Sequence, residues 1–517
     1  MQSWHLLVAI AAVAVVLLVA IAVYDLTQRR HAILRNYPII GHFRYLLERV
    51  GPELRQYIVT DNDQERPFSR DQRTWVYRAA KAENTYFGFG SDNDFDEPHD
   101  YLIIKQSQFP LDAPPGLDTP DIERALPSIK VLGGAHRRSR AFRPSSVINV
   151  SAMSFGSLSG AAVEALNRGC ARAGALHSTG EGGISDHHRH GADLVWQIGT
   201  GYFGCRDAAG HFDLAHLVDT VASAPVRAIE IKLSQGAKPG LGGVLPAVKV
   251  TEEVAAIRGI PVGIACRSPA AHSAFGDVDS LIEFVETIAS ATGLPVGIKS
   301  AVGDDAFWPQ LAARMAATGG GPDFITIDGG EGGTGAAPLS FADHVSLPFR
   351  WGFPRVFGAF ASAGIDRDVV FIGSGRLGLP DAALAAFATG CDMVNVGRTA
   401  LFSIGCIQAQ RCQTDRCPTG VATQDPRLMR GLDVADKSVR CANYLATLRF
   451  ELERLSRACG VPHPSMVGPD QIEVLGAQFR SSTLGELCGY RSGWAIPAPD
   501  AVAALLAVPG WTGSDAH

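Results

Sequence analysis

Eight short runs of aliphatic and β-branched residues recur between residues 147 and 397, and each leads into a glycine- or serine-rich loop and then an alanine-rich stretch. They are VINVS (147–151), ALHST (175–179), LVWQI (194–198), AIEIK (228–232), PVGIK (295–299), FITID (324–328), VVFIG (369–373) and MVNVG (393–397). Strands of this kind alternating with helical stretches specify parallel βα units. Eight of them predict an α/β fold, a closed (β/α)8 TIM barrel, whose active site lies on the loops at the carboxyl ends of the strands. A ninth run, PVGIA (261–265), competes for a place and is assigned to an insertion. With 46% hydrophobic residues, the 56 glycines point to ligand-facing loops on this scaffold rather than to disorder.

The flanks divide the 517 residues further: 1–30 as a transmembrane anchor, 31–140 as an N-terminal subdomain, 141–430 as the barrel with a cysteine loop at 405–424, and 431–517 as a helical extension. From Leu6 to Val23 all 18 residues are Leu, Val, Ala or Ile. A helix of that length spans about 27 Å, close to the ~30 Å of a bilayer core. Trp4 and Tyr24 flank it as interface anchors. Arg29, Arg30 and Arg35 follow, which places the catalytic part in the cytoplasm as a single-pass membrane protein. The alternative, a signal peptide cleaved near Ala20-Ile21-Ala22, lacks a Lys or Arg ahead of the apolar run. The net charge of −6 gives no general affinity for nucleic acid or acidic membranes. The ten cysteines are scattered except for one group, as in a reducing compartment.

That group is Cys406, Cys412 and Cys417, spaced C-x5-C-x4-C, with Pro418 straight after. Structural zinc uses C-x2-4-C pairs with partners further on, which are absent here. Thiolates closed by a Cys-Pro pair fit an iron–sulfur cluster, and three ligands rather than four point to the 3Fe–4S type. The last two strands carry the clearest ligand signal. VVFIG runs into Ser374-Gly375-Arg376-Leu377-Gly378 and then the helical PDAALAAFATG, and MVNVG into Arg398-Thr399. Loops after strands seven and eight are a frequent phosphate site, where glycine lets backbone N–H groups approach the anion. Gly373 to Gly378 also fits the dinucleotide pattern G-x-G-x-x-G, and Gly330 to Gly335 fits it a second time. A dinucleotide fingerprint opens its fold, however, whereas this one falls near the end of a series of eight. The run Asp186-His187-His188-Arg189-His190 reads as a solvated or substrate-facing loop rather than a metal site, and His177 as a buried strand residue.

Ser151-Ala-Met-Ser-Phe-Gly-Ser157, Ser178-Thr-Gly-Glu-Gly-Gly183, the segments Ile229–Gly240 and Asp328–Pro338, and the cysteine run with its tail Pro418–Gln424 together resemble the central FMN domain of glutamate synthase. The resemblance covers roughly residues 145–430, with the motifs in the family's order. It implies an FMN-containing barrel and a 3Fe–4S cluster on Cys406, Cys412 and Cys417. The backbone of Ala152, Met153 and Ser154 would lie along the flavin ring, with Gln197 at its pyrimidine edge. Lys299 would sit near N1 and O2, where a positive charge favours the anionic reduced flavin. Gly375, Arg376, Gly397 and Arg398 would hold the phosphate. Glu181, Lys232, Gln235 and Lys238 match positions lining a dicarboxylate pocket, with Glu181, Lys232 and Lys299 in the catalytic roles.

Two departures bear on the substrate. The family's A-S-G-R-F-G reads Gly199-Thr-Gly-Tyr202-Phe-Gly204, so Tyr202 stands where an arginine would clamp a carboxylate, and K-P-G-E-G-G reads Lys238-Pro-Gly-Leu241-Gly-Gly243. No glutaminase domain is expected ahead of the apolar segment. The resemblance therefore implies an oxidoreductase acting on 2-iminoglutarate, formed from 2-oxoglutarate and ammonia or an amine. Its electrons would come from ferredoxin or a separate reductase, and an oligomer is compatible with the sequence. Three other readings stay open: an N-methylglutamate synthase-like enzyme, an electron-transfer subunit serving a quinone, and a dehydrogenase running in the opposite direction.

Overall fold

The computed structural model describes residues 2–28, 32–55, 63–88, 90–91, 93, 100–114, 116–509 and 511. Arg29 and Arg30, invoked above for membrane orientation, lie outside the described residues. The chain forms two compact units, Met1–Arg73 and Thr74–His517.

In the first unit the apolar run is a continuous helix, Gln2–Thr27. Within Trp4–Thr27 an 18-residue window has a mean hydropathy of 3.3, and no residue of that window is buried. Two further helices follow, Ala32–Asn36 and Gly41–Leu54.

The second unit holds the barrel. Its strands are β1 (Ile148–Val150), β2 (His177–Ser178), β3 (Leu194–Ile198), β4 (Val226–Lys232), β5 (Val296–Ser300), β6 (Phe324–Asp328), β7 (Val370–Ser374) and β8 (Met393–Val396). They pair in sequence order, all parallel, and β8 closes on β1 with Val394 opposite Ile148. The structure is therefore the α/β (β/α)8 barrel expected from the eight runs. Every residue of β5, β6 and β7 is buried. Strands covered by helices outside and by packed side chains inside carry no polar alternation, which is why they read as unbroken apolar runs. Leu132, Ala228, Phe324, Val370, Ile372 and Met393 pack together as a buried cluster.

The ninth run carries no strand between residues 261 and 265. It lies in the long segment between β4 and β5, which also holds the antiparallel pair Val244–Leu245 with Cys266–Arg267 and the helix Glu252–Arg258. Helix Val434–Ala458 packs on helix Gly160–Ala173, the one that follows β1. Gly169 permits the approach, since a Cβ there would come within 2.5 Å of the Cys441 Cβ. A three-stranded antiparallel sheet then joins Tyr101–Ile104 to Ile472–Leu475 and Ser481–Thr483, tying the two ends of this unit together.

At the amino-terminal end of the barrel, Arg138 is nearly buried. It binds Glu286 with both terminal nitrogens (2.6 and 2.7 Å) and Asp323 with Nε (3.0 and 3.1 Å). Asp323 also accepts the Val296 N–H at 2.8 Å, so the cluster pins the start of β5. Removing one member of a buried ion pair costs about 3–5 kcal/mol, because the other charge is left desolvated. Arg138→Ala is expected to destabilise this unit by about 3 kcal/mol, read as a lower denaturant midpoint. An unchanged midpoint would show that the cluster is not holding the barrel base.

Candidate active site at the carboxyl ends of the strands

The loop after β1 is locked between its neighbours. Ser151 donates its N–H to Val396 O (2.9 Å), and Met153 donates to Ser178 O (3.0 Å). Ala152 and Ser154 are half-buried. The Met153 carbonyl faces His188 Nε2 at 3.0 Å, and the Ser185 N–H lies 3.2 Å from Nδ1. A carbonyl only accepts, so Nε2 carries the proton and Nδ1 accepts. Burial pushes this imidazole down to about 4, which keeps it neutral in that tautomer. From the insertion, Arg258 donates to Ser154 Oγ and Phe155 O, both at 3.1 Å.

Further round the barrel, Gln197 on β3 donates from Nε2 to Glu230 Oε2 (2.6 Å), and Thr326 on β6 donates to Glu230 Oε1 (2.7 Å). Glu230 on β4 thus sits buried between two neutral donors. Lys299 on β5 is 5% exposed, and its Nζ lies 3.7 Å from Asp328 Oδ2. Asp328 is more tightly held by the Gly236 N–H (2.9 Å) and Ser374 Oγ (2.8 Å). The result is a desolvated ammonium with one loose partner.

Glu181 and Lys232 meet in an ion pair of 2.8 Å, and Lys232 Nζ also donates to Gln235 Oε1 at 3.2 Å. Burial opposes the charge on Glu181, but Lys232, with Lys238 and Arg258, outweighs it and holds the carboxyl below the usual range. The carboxylate fits only because glycines flank it. A Cβ on Gly199 would fall 2.3 Å from Oε2, and one on Gly243 would fall 2.6 Å from Oε1. Lys238 donates to Ala336 O (3.2 Å) and Gln235 to Gly333 O (2.8 Å), so the loop after β4 is laced to the loop after β6. Burial and the neighbouring Lys232 hold Lys238 below the usual lysine range.

The structure places Tyr202, expected among the substrate residues, in the wall behind Lys232. It is 1% exposed. The Ala274 N–H donates to its hydroxyl at 3.2 Å, and His272 Nδ1 lies 3.0 Å away. His272 Nε2 faces the Lys232 carbonyl at 3.0 Å, so Nε2 is the protonated nitrogen and Nδ1 accepts from the phenol. Both capacities of the hydroxyl are thereby used.

Arg376 and Arg398 come together above β7 and β8. Burial, then the charge of Arg376, brings the Arg398 guanidinium down to about 10. Arg398 Nη2 donates to the Glu331 carbonyl. Gly375 has φ +130°, a conformation suited to glycine, and a Cβ there would lie 3.2 Å from Gly329 N. Gly397 directly precedes helix Arg398–Ser403. Two convergent cations beside an open glycine backbone fit a phosphate. The Gly373–Gly378 pattern thus belongs to the seventh βα unit of a barrel.

Cys406, Cys412 and Cys417, none of them in a disulfide, lie on the loop after the Arg398–Ser403 helix, with Cys417 buried and the other two half-buried. Cys412 is pushed up by burial and by the neighbouring Cys417. Among the described residues no three His, Cys, Asp or Glu side chains are arranged to hold a single metal ion. Around residue 188 the histidines diverge: His188 points inward, His187 pairs with Glu253 (3.0 Å), and His190 faces Glu164 (3.7 Å). His177 is buried, with Nδ1 3.2 Å from Asn167 Nδ2.

Five residues of the site escaped the sequence reading. Glu230 and Asp328 had a signal, an acid inside an otherwise apolar strand. His188 was visible only as one of a histidine run. Arg258 and His272 had none, because the long insertion alone brings them here.

The neutral His188 has a pH consequence. In the unfolded chain the imidazole takes up a proton near pH 6.5, whereas in the folded one it does so only near 4. Between these values the unfolded state binds more protons, so stability falls as the pH falls, by about 3 kcal/mol for this group. A denaturant midpoint followed from pH 7 to 4.5 is expected to fall less steeply in His188→Gln than in the natural chain. Parallel profiles would refute the buried neutral assignment.

The region described as "Conserved region in glutamate synthase" matches residues 129–462. The chain is 38% identical over 488 residues to the glutamate synthase large subunit-like protein YerD of Bacillus subtilis (strain 168), covering 89% of this chain and 92% of that protein. It is 35% identical over 311 residues to the archaeal-type glutamate synthase (NADPH) of Thermotoga maritima, covering 60% of this chain and 58% of that one. The flavin-binding domain of baker's yeast flavocytochrome b2 overlays with 14% identity and a TM-score of 0.43 over 84% of each chain, too slight a likeness to carry an argument. On the extent of these matches, the chain belongs to the family defined by the conserved region of glutamate synthase.

Proposed function

We propose that this barrel is an FMN-dependent oxidoreductase that reduces an imine of a 2-oxo acid, with 2-iminoglutarate as the first candidate. The observation that carries the reading is the convergence on one barrel end of a desolvated ammonium, a carboxylate–ammonium pair and two neighbouring guanidiniums. Arg376 and Arg398, with the backbone of Gly375 and Gly397, would hold the FMN phosphate. Ala152, Met153, Ser154 and Gln197 would flank its ring. When bound, FMN would supply hydride chemistry, and a 3Fe–4S cluster held by Cys406, Cys412 and Cys417 would supply single electrons.

The chain's own groups do the rest. Lys299 presents positive charge at the end of β5, only loosely neutralised by Asp328 at 3.7 Å. Lys232 and Lys238 offer cations to a substrate carboxylate. Glu181 Oε1, 2.8 Å from Lys232 Nζ, is placed to exchange a proton with that ammonium. The electron donor is proposed to be ferredoxin or a separate reductase, and the amine ammonia or a substituted amine. The apolar helix Trp4–Thr27 is proposed to be an uncleaved membrane anchor with the barrel in the cytoplasm.

A second reading rests on Tyr202. A family carboxylate clamp is replaced by a phenol whose hydroxyl is already bonded to His272 and Ala274. That favours a different substrate, a quinone acceptor or a dehydrogenase running in reverse. Anaerobic reduction followed by addition of acceptors separates the two. Under the first reading, 2-oxoglutarate with ammonia or methylamine reoxidises the flavin. Reoxidation by a quinone analogue alone, with no response to oxo acid and amine, overturns it. Glu181→Gln is expected to slow the oxo-acid-dependent reoxidation by about 10²-fold or more at unchanged flavin content. A near-normal rate would remove Glu181 from proton transfer. For the anchor, the chain is expected to stay with membranes after an alkaline carbonate wash, at a mass that includes the apolar helix.

A further inference from the structure

Beyond the apolar helix, the first unit carries the helix Gly41–Leu54, which is amphipathic and whose apolar face no described residue covers. Phe43, Leu46, Leu47, Val50 and Leu54 are each between 36% and 62% exposed. At about 100° per residue they fall on one arc of roughly 100°. Arg44, Glu48, Arg49 and Glu53 occupy the rest of the circumference, and their formal charges cancel. Arg44 pairs with Glu48 at 3.0 Å on that polar side. Ile39 and Ile40, just ahead of the helix, are also exposed.

The position of this helix is set by Asp25, in the last turn of the apolar helix. The Asp25 carboxylate is fully buried. It accepts the Ile39 N–H at 2.9 Å and lies 2.9 Å from His42 Nε2. The amino end of the amphipathic helix is therefore held at the level where the apolar helix ends. If the apolar helix spans a bilayer, that level is the boundary between acyl chains and headgroups.

We infer that Gly41–Leu54 lies in the membrane interface, with the Phe43, Leu47, Val50 and Leu54 stripe among the acyl chains and the charged arc in the headgroup water. This rests on the reading of Trp4–Thr27 as an anchor. The occupant of the stripe is lipid, because the stripe begins where the membrane-spanning surface leaves off. The cancelling charges mean that attachment needs no anionic lipid.

The test uses the full chain in nanodiscs of zwitterionic phospholipid, with and without doxyl-labelled acyl chains. A fluorescent amino acid is incorporated at position 47, on the apolar arc, or at position 48, on the polar arc. The expected result is quenching at least about twofold stronger at position 47, unchanged when anionic lipid is added. Equal quenching at both positions overturns the inference. So does a blue-shifted but unquenched probe at position 47, which would mean that protein, such as a second copy of the chain, covers the stripe. Both results leave the anchor intact. Loss of the chain from the discs on a carbonate wash instead overturns the anchor reading, and this inference with it.

Discussion

The mouth of the barrel is organised on one buried carboxylate, Asp328. It accepts the Gly236 N–H from the loop after β4 and the Ser374 hydroxyl from β7, and it stands 3.7 Å from the Lys299 ammonium on β5. A desolvated carboxylate has to satisfy its lone pairs, and a desolvated ammonium has to stay near a counter-charge. Those two demands fix the relative height of β5, β6 and β7 and draw the loop after β4 across the opening. Asp328 is the carboxylate that stands beside the buried Lys299 at this place.

The second organising feature is the way glycines admit charge into a crowded wall. Glu181 occupies space that a side chain on Gly199 or Gly243 would fill, and Gly236 lies so close to Gly329 that a Cβ would fall 1.9 Å from its carbonyl oxygen. These glycines are there for contact, letting a carboxylate or a backbone approach where any larger residue would hold it off. Close approach then lets Lys232 and Lys238 keep Glu181 ionised despite its burial. At neutral pH the site is therefore a set of charged groups held near each other by sterics, the arrangement in which protons and anionic substrates are most readily handled.

Much of this was legible in the amino-acid order. The eight strands appear as apolar runs because both their faces are covered, and each one lies within two residues of its expected place. The loops after β7 and β8 were visible as glycine beside arginine at the end of a strand, and the structure brings Arg376 and Arg398 together there. The cysteine triplet stands out in the sequence by its spacing. Tyr202 was legible as a substitution but not as to its place. Its sequence neighbours carry no sign that its hydroxyl turns toward His272, which is 70 residues away along the chain.

What the sequence by itself determined is the barrel, the long apolar helix and the order of the glycine-rich loops at the barrel mouth. Each of these follows from local periodicity and from residues adjacent in the chain. Only the tertiary structure decided which groups share a charge or a proton. His188 is neutral because burial outweighs the Met153 carbonyl that fixes its tautomer, Glu230 is held by donors from two other strands, and Arg258 reaches Ser154 from an insertion 104 residues away. Those outcomes depend on desolvation and on hydrogen bonds between distant segments, and neither quantity exists until the chain has closed on itself.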